Sequence, residues 1–376
     1  MSRTLFARFT AATAVVAVSV LGITAGASAA APTADSPGVA AAKRQLAAWV
    51  QPGATIPKSI LAAPLPKTPP TGKKVFYIDN TIPNSTRVWN GFAAGAAVLG
   101  WSPTRLAYNT QADAVGLVSQ ALSQGANYIM VSGVSQTILQ PALDAARAAN
   151  VPLFERGGLD VPQGPANWIF SQTAGPELYA NQGKAAADWI TVTRNGKATT
   201  LLMAATGLGA LKTFNDVFQT EYAKNCPGCG ITVLDNPIAA VSNGGMVTNA
   251  VAYIRAHPEV TNVEFPLGSA AFSWPAAAAN AGLTNVVMST SSASDGNLKL
   301  IAAGQQAMTT QWGLEEGGWV IIDAMARQSL GMSLKPNWAA AMPLLVNTNA
   351  NTTVNTQSFA GTPNYTGQFK QVWHRG

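Results

Sequence analysis

The sequence predicts an α/β protein built from two doubly wound lobes, each with a parallel sheet. Short apolar runs typical of buried strands alternate with segments whose apolar residues recur every three or four positions, as in helices. The connections between these elements are only a few residues long, as parallel βαβ units require. The alternation restarts after a break near residue 167, which indicates a second lobe of similar build.

Length, composition and charge exclude several classes of protein. A chain of 376 residues is long enough for about two domains, and 48% hydrophobic residues argue against disorder. Charged residues make up 11%, against about 25% in average proteins, which excludes a charge-rich coiled coil. The 23 basic and 17 acidic residues are spread thinly, so the formal charge of +6 does not indicate a nucleic-acid partner.

Residues 1–30 predict a secretory signal peptide. Arg3 and Arg8 precede an uncharged apolar run over 11–25, and the small residues at 27–29 suit a cleavage site. The run is shorter than the roughly 20 residues of a membrane span, so we expect no stable membrane insertion. No Cys lies near the cleavage site, and we therefore expect an exported protein of the periplasm or cell envelope that is not a lipoprotein.

Residues 31–72 form a leader rich in Ala and Pro. Its prolines between 52 and 70 keep the chain extended and prevent a long helix. A short helix is expected over 39–50, with Leu46 and Trp49 on one face. The sequence leaves open whether the leader packs on the globular body or serves only as a spacer.

The globular body is predicted to begin at Lys73. In the first half of the alternation the predicted strands are 73–79, 104–108, 127–131 and 151–154. The helices between and after them are predicted over 84–100, 113–124 and 135–150. Val88, Phe92 and Leu99 share one face of the first of these helices, and Gly100 ends it.

The second half of the alternation repeats this pattern. Its predicted strands are 167–171, 199–204, 231–234, 262–266, 285–289 and 308–311. Its predicted helices are 175–194, 209–225, 243–257, 269–282, 298–303 and 315–330. After residue 330 the chain is polar and is expected to be loop-like.

Five segments are weak motifs singly and specific together: NGFAAGAAVLGW (90–101), QALSQGANYIMVSG (120–133), PALDAARAANVPLFERG (141–157), AYIRAHPEVTNVEFPLG (252–268) and NYTGQFKQVWH (364–374). Together they resemble type I periplasmic solute-binding proteins of the branch that serves sugar-type ABC importers. The resemblance covers roughly residue 73 to the C-terminus. It implies a monomer without cofactors whose partners are a small-molecule ligand and the permease subunits of an ABC importer.

The resemblance also implies how the lobes are joined. Three crossings would form a hinge near 171–175, 311–313 and 346–351, and the lobes would close on the ligand. The first lobe would then comprise 73–171 plus 312–346. The second lobe would comprise 172–311 plus 347–376.

The family binds its ligands with loops at the carboxyl ends of the strands. Transferred to this chain, the first-lobe positions are Asn80, Asn84, Ser85, Glu155 and Arg156, the last two matching an Asp-Arg pair that grips sugar hydroxyls. The corresponding positions on the second lobe and at the crossing are Lys212, Ser269, Ser291 and Gln311. The family's second-lobe carboxylates are absent from these positions, which argues against a simple pentose or hexose.

Aromatic residues are also expected near the mouth of the cleft, where they would stack on a ligand. They are Trp89, Phe272, Trp274 and Trp312. Each of these candidates has a simpler explanation. The aromatics would also suit the core, Glu155 and Arg156 an ion pair, Lys212 a solvated helix surface, and Asn84 a helix cap.

Cys226 and Cys229 form a Cys-Pro-Gly-Cys unit that follows a predicted helix and precedes a predicted strand. A reactive thiolate is favoured at a helix N-terminus, so this position favours a structural disulfide over a redox or metal site. The chain has only two histidines, His257 and His374, and no nucleophile-elbow or phosphate-loop motif. We therefore expect a non-catalytic receptor; the alternative is an extracellular enzyme or a ligand-sensing ectodomain partner on the same fold.

Overall fold

The computed structural model describes residues 35–49, 56–80, 82–157, 163–332, 344–348 and 359–376. The predicted signal peptide lies outside them. The strands are β1 (Lys74–Asp79), β2 (Ser102–Ala107), β3 (Tyr128–Ser132), β4 (Leu153–Arg156), β5 (Ile169–Thr173), β6 (Thr199–Ala204), β7 (Gly230–Asp235), β8 (Asn262–Phe265), β9 (Val287–Thr290), β10 (Met308–Trp312) and β11 (Leu344–Thr348). The helices are α1 (Pro37–Ala47), α2 (Lys58–Leu61), α3 (Pro83–Val98), α4 (Asp113–Ser123), α5 (Gln136–Ala148), α6 (Pro176–Thr193), α7 (Gly209–Asn225), α8 (Ile238–Ser242), α9 (Gly245–Ala256), α10 (Trp274–Asn280), α11 (Asp295–Ala302), α12 (Leu314–Ser329) and α13 (Tyr365–Val372).

The described strands form two sheets, and each sheet with its helices is one lobe. The first sheet has the order β2-β1-β3-β4-β5 and is wholly parallel. The second has the order β11-β10-β9-β8-β6-β7 and is parallel except where β11 runs against β10. Both sheets reverse their winding beside their first strand, between β1 and β3 and between β6 and β8. The predicted α/β fold class of two doubly wound lobes is confirmed.

Helices cover both faces of the first sheet, which explains why β3, its central strand, is buried along its whole length. All five residues of β3 are buried, as expected for a parallel strand with both faces covered. Helices α4 and α5 pack on one face through residues such as Val118 and Leu143. Helices α3 and α12 pack on the other face with Phe92 and Ile321.

Two glycines allow α3 and α12 to approach until their backbones touch. A Cβ atom on Gly91 would lie 1.9 Å from the carbonyl oxygen of Glu315, and one on Gly318 would lie 2.2 Å from the nitrogen of Phe92. No other residue fits at either position without separating the helices. This contact fixes α12, which follows β10 of the second sheet, onto the first lobe.

The described part of the leader packs on the globular body rather than serving as a spacer. Helix α1 lies against α6 and α7 of the second lobe, with Val39 and Ala42 buried. Ile56 and Ile60 are buried in the core of the first lobe, and the guanidinium of Arg327 donates to the carbonyl oxygen of Ala63. The leader therefore contacts both lobes.

The tail differs from its sequence-based description as a loop. Strand β11 pairs with β10 in the second sheet, so the third crossing precedes Leu344 instead of lying within 346–351. Helix α13 buries Phe369 and Trp373 against Trp319 of the first lobe, whereas the resemblance implies that 347–376 belongs to the second. The indoles of Trp319 and Trp373 stack at 5.1 Å between ring centroids, and the aromatic surface that they bury against each other accounts for this placement.

Two helices of the second lobe also differ from prediction. The helix expected over 269–282 is divided into a 3-10 turn (Gly268–Ala271) and α10. Pro275 explains the division, since proline lacks the backbone N–H that a helix interior needs and suits a first turn. The short helix α8 was missed because its five residues are too few to show helical periodicity.

Candidate ligand-binding cleft

A cavity of about 630 Å³ lies at the carboxyl ends of both sheets. In the first lobe its lining lies at or after the ends of β1, β2, β3 and β4, and in the second lobe most of it follows β6, β7 and β8. These strands flank the two points at which the sheets reverse their winding. Open α/β sheets form ligand crevices at such points, because loops there diverge to opposite faces.

Arg156, the last residue of β4, brings a buried positive charge to the cavity. Its side chain is 8% exposed, and its Nη1 donates to the hydroxyl of Ser132 at 2.9 Å and towards that of Ser85 at 3.4 Å. The guanidinium carbon lies 5.1 Å from the ring centroid of Trp312, so the indole covers one face of the cation. Within the described ranges, no carboxylate forms an ion pair with Arg156.

Amides and hydroxyls make up the rest of the polar wall on the first lobe. Asn84 lies inside the first turn of α3 and does not cap it; instead its Nδ2 donates to the carbonyl of Ser292 at 3.1 Å, which joins the lobes. The hydroxyl of Ser85 lies 3.3 Å from Oδ1 of Asn80. These side chains could bind hydroxyl, carbonyl or carboxylate groups of a ligand.

Two side chains fix the loop after β3 beside Arg156. The phenol of Tyr108 donates to the carbonyl of Ser132 at 2.6 Å. Nε2 of Gln111 donates to the carbonyl of Gly133 at 3.1 Å, and its Oε1 accepts from the backbone nitrogen of Ser135 at 3.3 Å. Both lining side chains therefore hold the backbone that positions the Ser132 hydroxyl on the guanidinium.

The wall formed by the second lobe is mostly apolar. Five aliphatic side chains carry it: Leu208, Leu211, Ile238, Val241 and Leu267. They come from the loops and helix starts after β6, β7 and β8. The cavity therefore has one polar wall with a cation and one hydrophobic wall.

Carboxylates close to the cleft are already engaged. Asp79 is fully buried at the end of β1 and accepts two hydrogen bonds from Arg105, at 3.0 Å and 2.8 Å. Glu264 is buried in β8 beneath the hydroxyls of Ser289 and Ser291, and burial raises the pKa of its carboxyl to about 8. No Asp or Glu is among the described residues that line the cavity, where Arg156 is the single charged side chain.

Six of the thirteen residues expected to contact a ligand line the cavity. They are Asn80, Asn84, Ser85, Arg156, Ser269 and Trp312. Five of them lie at or shortly after the carboxyl ends of β1, β4 and β8, and Trp312 is the last residue of β10, before α12.

The other expected residues lie elsewhere. Glu155 is fully buried and accepts from Nε2 of Gln136 at 2.9 Å, since neighbouring residues of a strand point to opposite faces. Trp89 packs in the first-lobe core against Phe92.

The remaining exceptions belong to the second lobe and the crossing. Lys212 is exposed and pairs with Asp216 one helical turn away. Ser291 donates to buried Glu264, and Phe272 is exposed outside the lining. Gln311 accepts from the backbone nitrogen of Phe359 at 3.0 Å, so its amide joins the tail to β10. Trp274, named with the aromatics, is buried against Phe265.

Several lining residues are not among those that the sequence predicts to bind a ligand. Tyr108 and Gln111 lie in the loop after β2 and Ser132 is the last residue of β3, so the position at a strand end is a usable signal for them. Ile238 and Val241 lie on α8, which is too short to be recognised from periodicity.

The two cysteines are paired as a disulfide between the end of α7 and β7, as expected. Among the described residues, no group of three or more His, Cys, Asp or Glu side chains is arranged to hold a metal ion. None of the described helices is both long and apolar enough to span a membrane.

Comparisons with known proteins agree with this geometry. A family model described as a periplasmic binding protein domain matches residues 75–332. No curated protein sequence matches the chain. Among solved structures, a solute-binding protein of an ABC transporter from Agrobacterium vitis with bound allitol has a TM-score of 0.65 and 18% identity, over 75% of this chain and 97% of that protein.

Two further structures are similar to the same extent. A solute-binding protein from Mycobacterium smegmatis with bound glycerol has a TM-score of 0.64 and 18% identity, over 76% of this chain and 99% of that one. One from Burkholderia graminis in complex with D-arabinose has a TM-score of 0.64 and 14% identity, again over 76% and 99%. At these identities the similarity establishes a shared fold.

Proposed function

This chain belongs to the periplasmic binding protein family, and on that premise we propose that it is a receptor that captures a small molecule in its cleft and delivers it to an ABC importer. The observation that carries the proposal is the cavity of about 630 Å³ between the two lobes. Its volume lies within the range of about 300–1,000 Å³ typical of small-molecule sites. A few polar groups beside an apolar wall are also typical of such sites.

The receptor role is proposed to be non-catalytic. A Ser-His mechanism needs an imidazole against the nucleophile, and both histidines are engaged elsewhere. His257 lies 3.2 Å from Glu259, and His374 lies 2.6 Å from the carbonyl of Leu65. The protein is further proposed to be an exported monomer, with the permease subunits of its importer as partners.

The proposed ligand is sugar-like, a polyol, or a semi-polar molecule with an aromatic or apolar part. The allitol, glycerol and D-arabinose named for the solved neighbours support the first two classes. The polar first-lobe wall suits their hydroxyl groups, and the aliphatic second-lobe wall suits the third class.

The test is ligand-induced closure without turnover. The exported mature protein is screened by differential scanning fluorimetry against a metabolite panel that includes the three neighbours' ligands. A ligand at 100 times its Kd should stabilise the fold by about 2.7 kcal/mol. Small-angle X-ray scattering should then show a smaller radius of gyration, and mass spectrometry should recover the ligand unchanged.

The matched control is Lys299→Ala, which removes an exposed charge from α11 and should leave binding unaltered. If the ligand is recovered in a chemically converted form, the protein is an enzyme on the same fold and the receptor function is wrong. Binding without any change in scattering would contradict capture by closure.

A further inference from the structure

We propose that the ligand is a monocarboxylate with an apolar body, whose carboxylate binds Arg156 and whose body lies on the aliphatic wall of the second lobe. The proposal rests on the receptor function above and narrows its ligand class. It follows from three observations on the cleft: the donors that Arg156 leaves unused, the charges on the lining, and the division of polar and apolar walls.

The first observation is the orientation of the guanidinium. Nη1 is occupied by Ser132 and Ser85, and the indole of Trp312 covers one face. Nε has no hydrogen-bond partner, and Nη2 forms none with the described residues. Nε and Nη2 together form the edge of an arginine that binds the two oxygens of a carboxylate in parallel. An acceptor with two coplanar oxygens would satisfy the unused Nε and Nη2 donors of this side chain.

The second observation is the charge balance. Arg156 is more than nine-tenths buried, and no carboxylate among the described residues lines the cavity with it. A buried guanidinium without a counter-ion is unfavourable, so a ligand that supplies one negative charge gains most. Because Arg156 is the single charged side chain of the described lining, a monoanion balances the site. A phosphate dianion would keep an unpaired charge.

The third observation is the opposite wall. Leu211, Ile238 and Leu267 offer methyl groups where a sugar would present hydroxyls. A polyol bound here would bury hydroxyl groups without partners, which opposes binding. An aliphatic or aromatic body has no hydrogen bonds to water that it would lose on that wall, and its binding removes apolar surface from water.

The first experiment uses the wild-type exported mature protein and matched probe series. The probes are 3-phenylpropanoate, 3-phenylpropanol and 3-phenylpropanamide, with octanoate and octanol as the aliphatic pair. Allitol and D-arabinose represent the polyhydroxylated class. Calorimetry should show at least one acid binding roughly 30-fold or more tightly than its own alcohol and amide, as expected for a buried charge pair.

Variants then locate the two halves of the ligand. Arg156→Gln should lower the affinity for the acid to that for the alcohol, and Arg156→Lys should restore only part of it, since lysine keeps the charge without the fork. Ile238→Ser, at a partly exposed position, should weaken the acid about tenfold through lost apolar contact. Lys299→Ala is the control that should leave every affinity unaltered. Thermal melts of each variant report folding, and the wild-type series does not depend on them.

The outcomes separate this inference from the receptor function. Equal affinities for acid and alcohol, binding of a polyol but of no acid, or binding of no probe would each overturn the carboxylate class. In that case, closure of the lobes around a polyol would still support the receptor function. If an acid binds as expected and is recovered in altered form, the ligand class stands and the receptor function fails.

Discussion

Glu264 is a carboxyl group in the interior of the second lobe. It accepts hydrogen bonds from Ser289 and Ser291, yet burial dominates and raises the pKa of its carboxyl from the ordinary 4.5 to about 8. The unfolded chain releases this proton near pH 4.5 and the folded chain only near pH 8. Between these values the folded state binds more protons, so the contribution of Glu264 to stability is complete below pH 4.5 and is lost as the pH rises through 8.

Glu264→Gln should therefore flatten the pH dependence of stability. We expect the free energy of unfolding to fall between pH 5 and 8 by at least ~1 kcal/mol less in the variant than in the wild type. Urea titrations followed by tryptophan fluorescence at pH 5, 6, 7 and 8 measure this difference. Glu177→Gln, at an exposed position on α6, is the matched control and should follow the wild type. Parallel curves for the wild type and Glu264→Gln would show that Glu264 ionises normally in the fold.

At the scale of residues, the sequence predicts which loops and strand ends line the cavity better than it predicts which of their side chains point into it. The family resemblance implies Arg156 and Asn84 as ligand-binding positions, and both lie at or shortly after the end of an apolar run that predicts a strand. Glu155 was predicted with its neighbour, but the side-chain alternation of β4 turns it to the other face, under Gln136. The aliphatic wall was not predicted, because Leu211 and Ile238 look like ordinary core residues until the loops that carry them meet.

Where α3 and α12 cross, the two helix backbones are so close that there is no space for a side chain between them. The expected cost of Gly318→Ala follows from geometry, because the new Cβ would lie 2.2 Å from a backbone nitrogen that cannot yield without moving α3. We expect a loss of at least about 1–3 kcal/mol in the free energy of unfolding, as for an overpacked core. Urea denaturation measures it.

Gly116→Ala provides the matched control on α4. Its Cβ would meet nothing within 4 Å, so alanine should stabilise the helix by roughly 0.5–1 kcal/mol. If both substitutions had the same sign and size, the close approach of α3 and α12 would not be a constraint on the fold.

Strands and long helices follow closely from the sequence, whereas elements defined by tertiary contacts do not. Strand β6 and helix α7 have their predicted bounds, since apolar periodicity alone specifies them. Strand β11 carries Leu345 and Val346 in a polar region and is recognisable only beside β10. Helix α13 depends in the same way on the indole of Trp319, which lies far away in the chain.

For the whole molecule, we predict a mature form that begins near residues 30–32, without the signal peptide. A signal peptide cleaved after the small residues at 27–29 would leave an N-terminus near residues 30–32. Both cysteines are paired with each other, so neither is free to carry a lipid. Intact-mass spectrometry of the exported protein should give the mass of the trimmed chain with one disulfide. An acyl adduct or an uncleaved N-terminus would contradict this prediction.

The leader that packs on both lobes sets a limit on how far they can separate. Trp49 ends the part docked on the second lobe, and Ile56 begins the part buried in the first. Seven residue steps join them, and a fully extended chain covers at most ~25 Å over that distance. Any wider opening must pull α1 from α6 and α7, or Ile56 from its core. The leader thus acts as a tether of fixed length between the lobes. Any opening wider than this length also requires part of the leader to undock, which adds to the free energy of the open state.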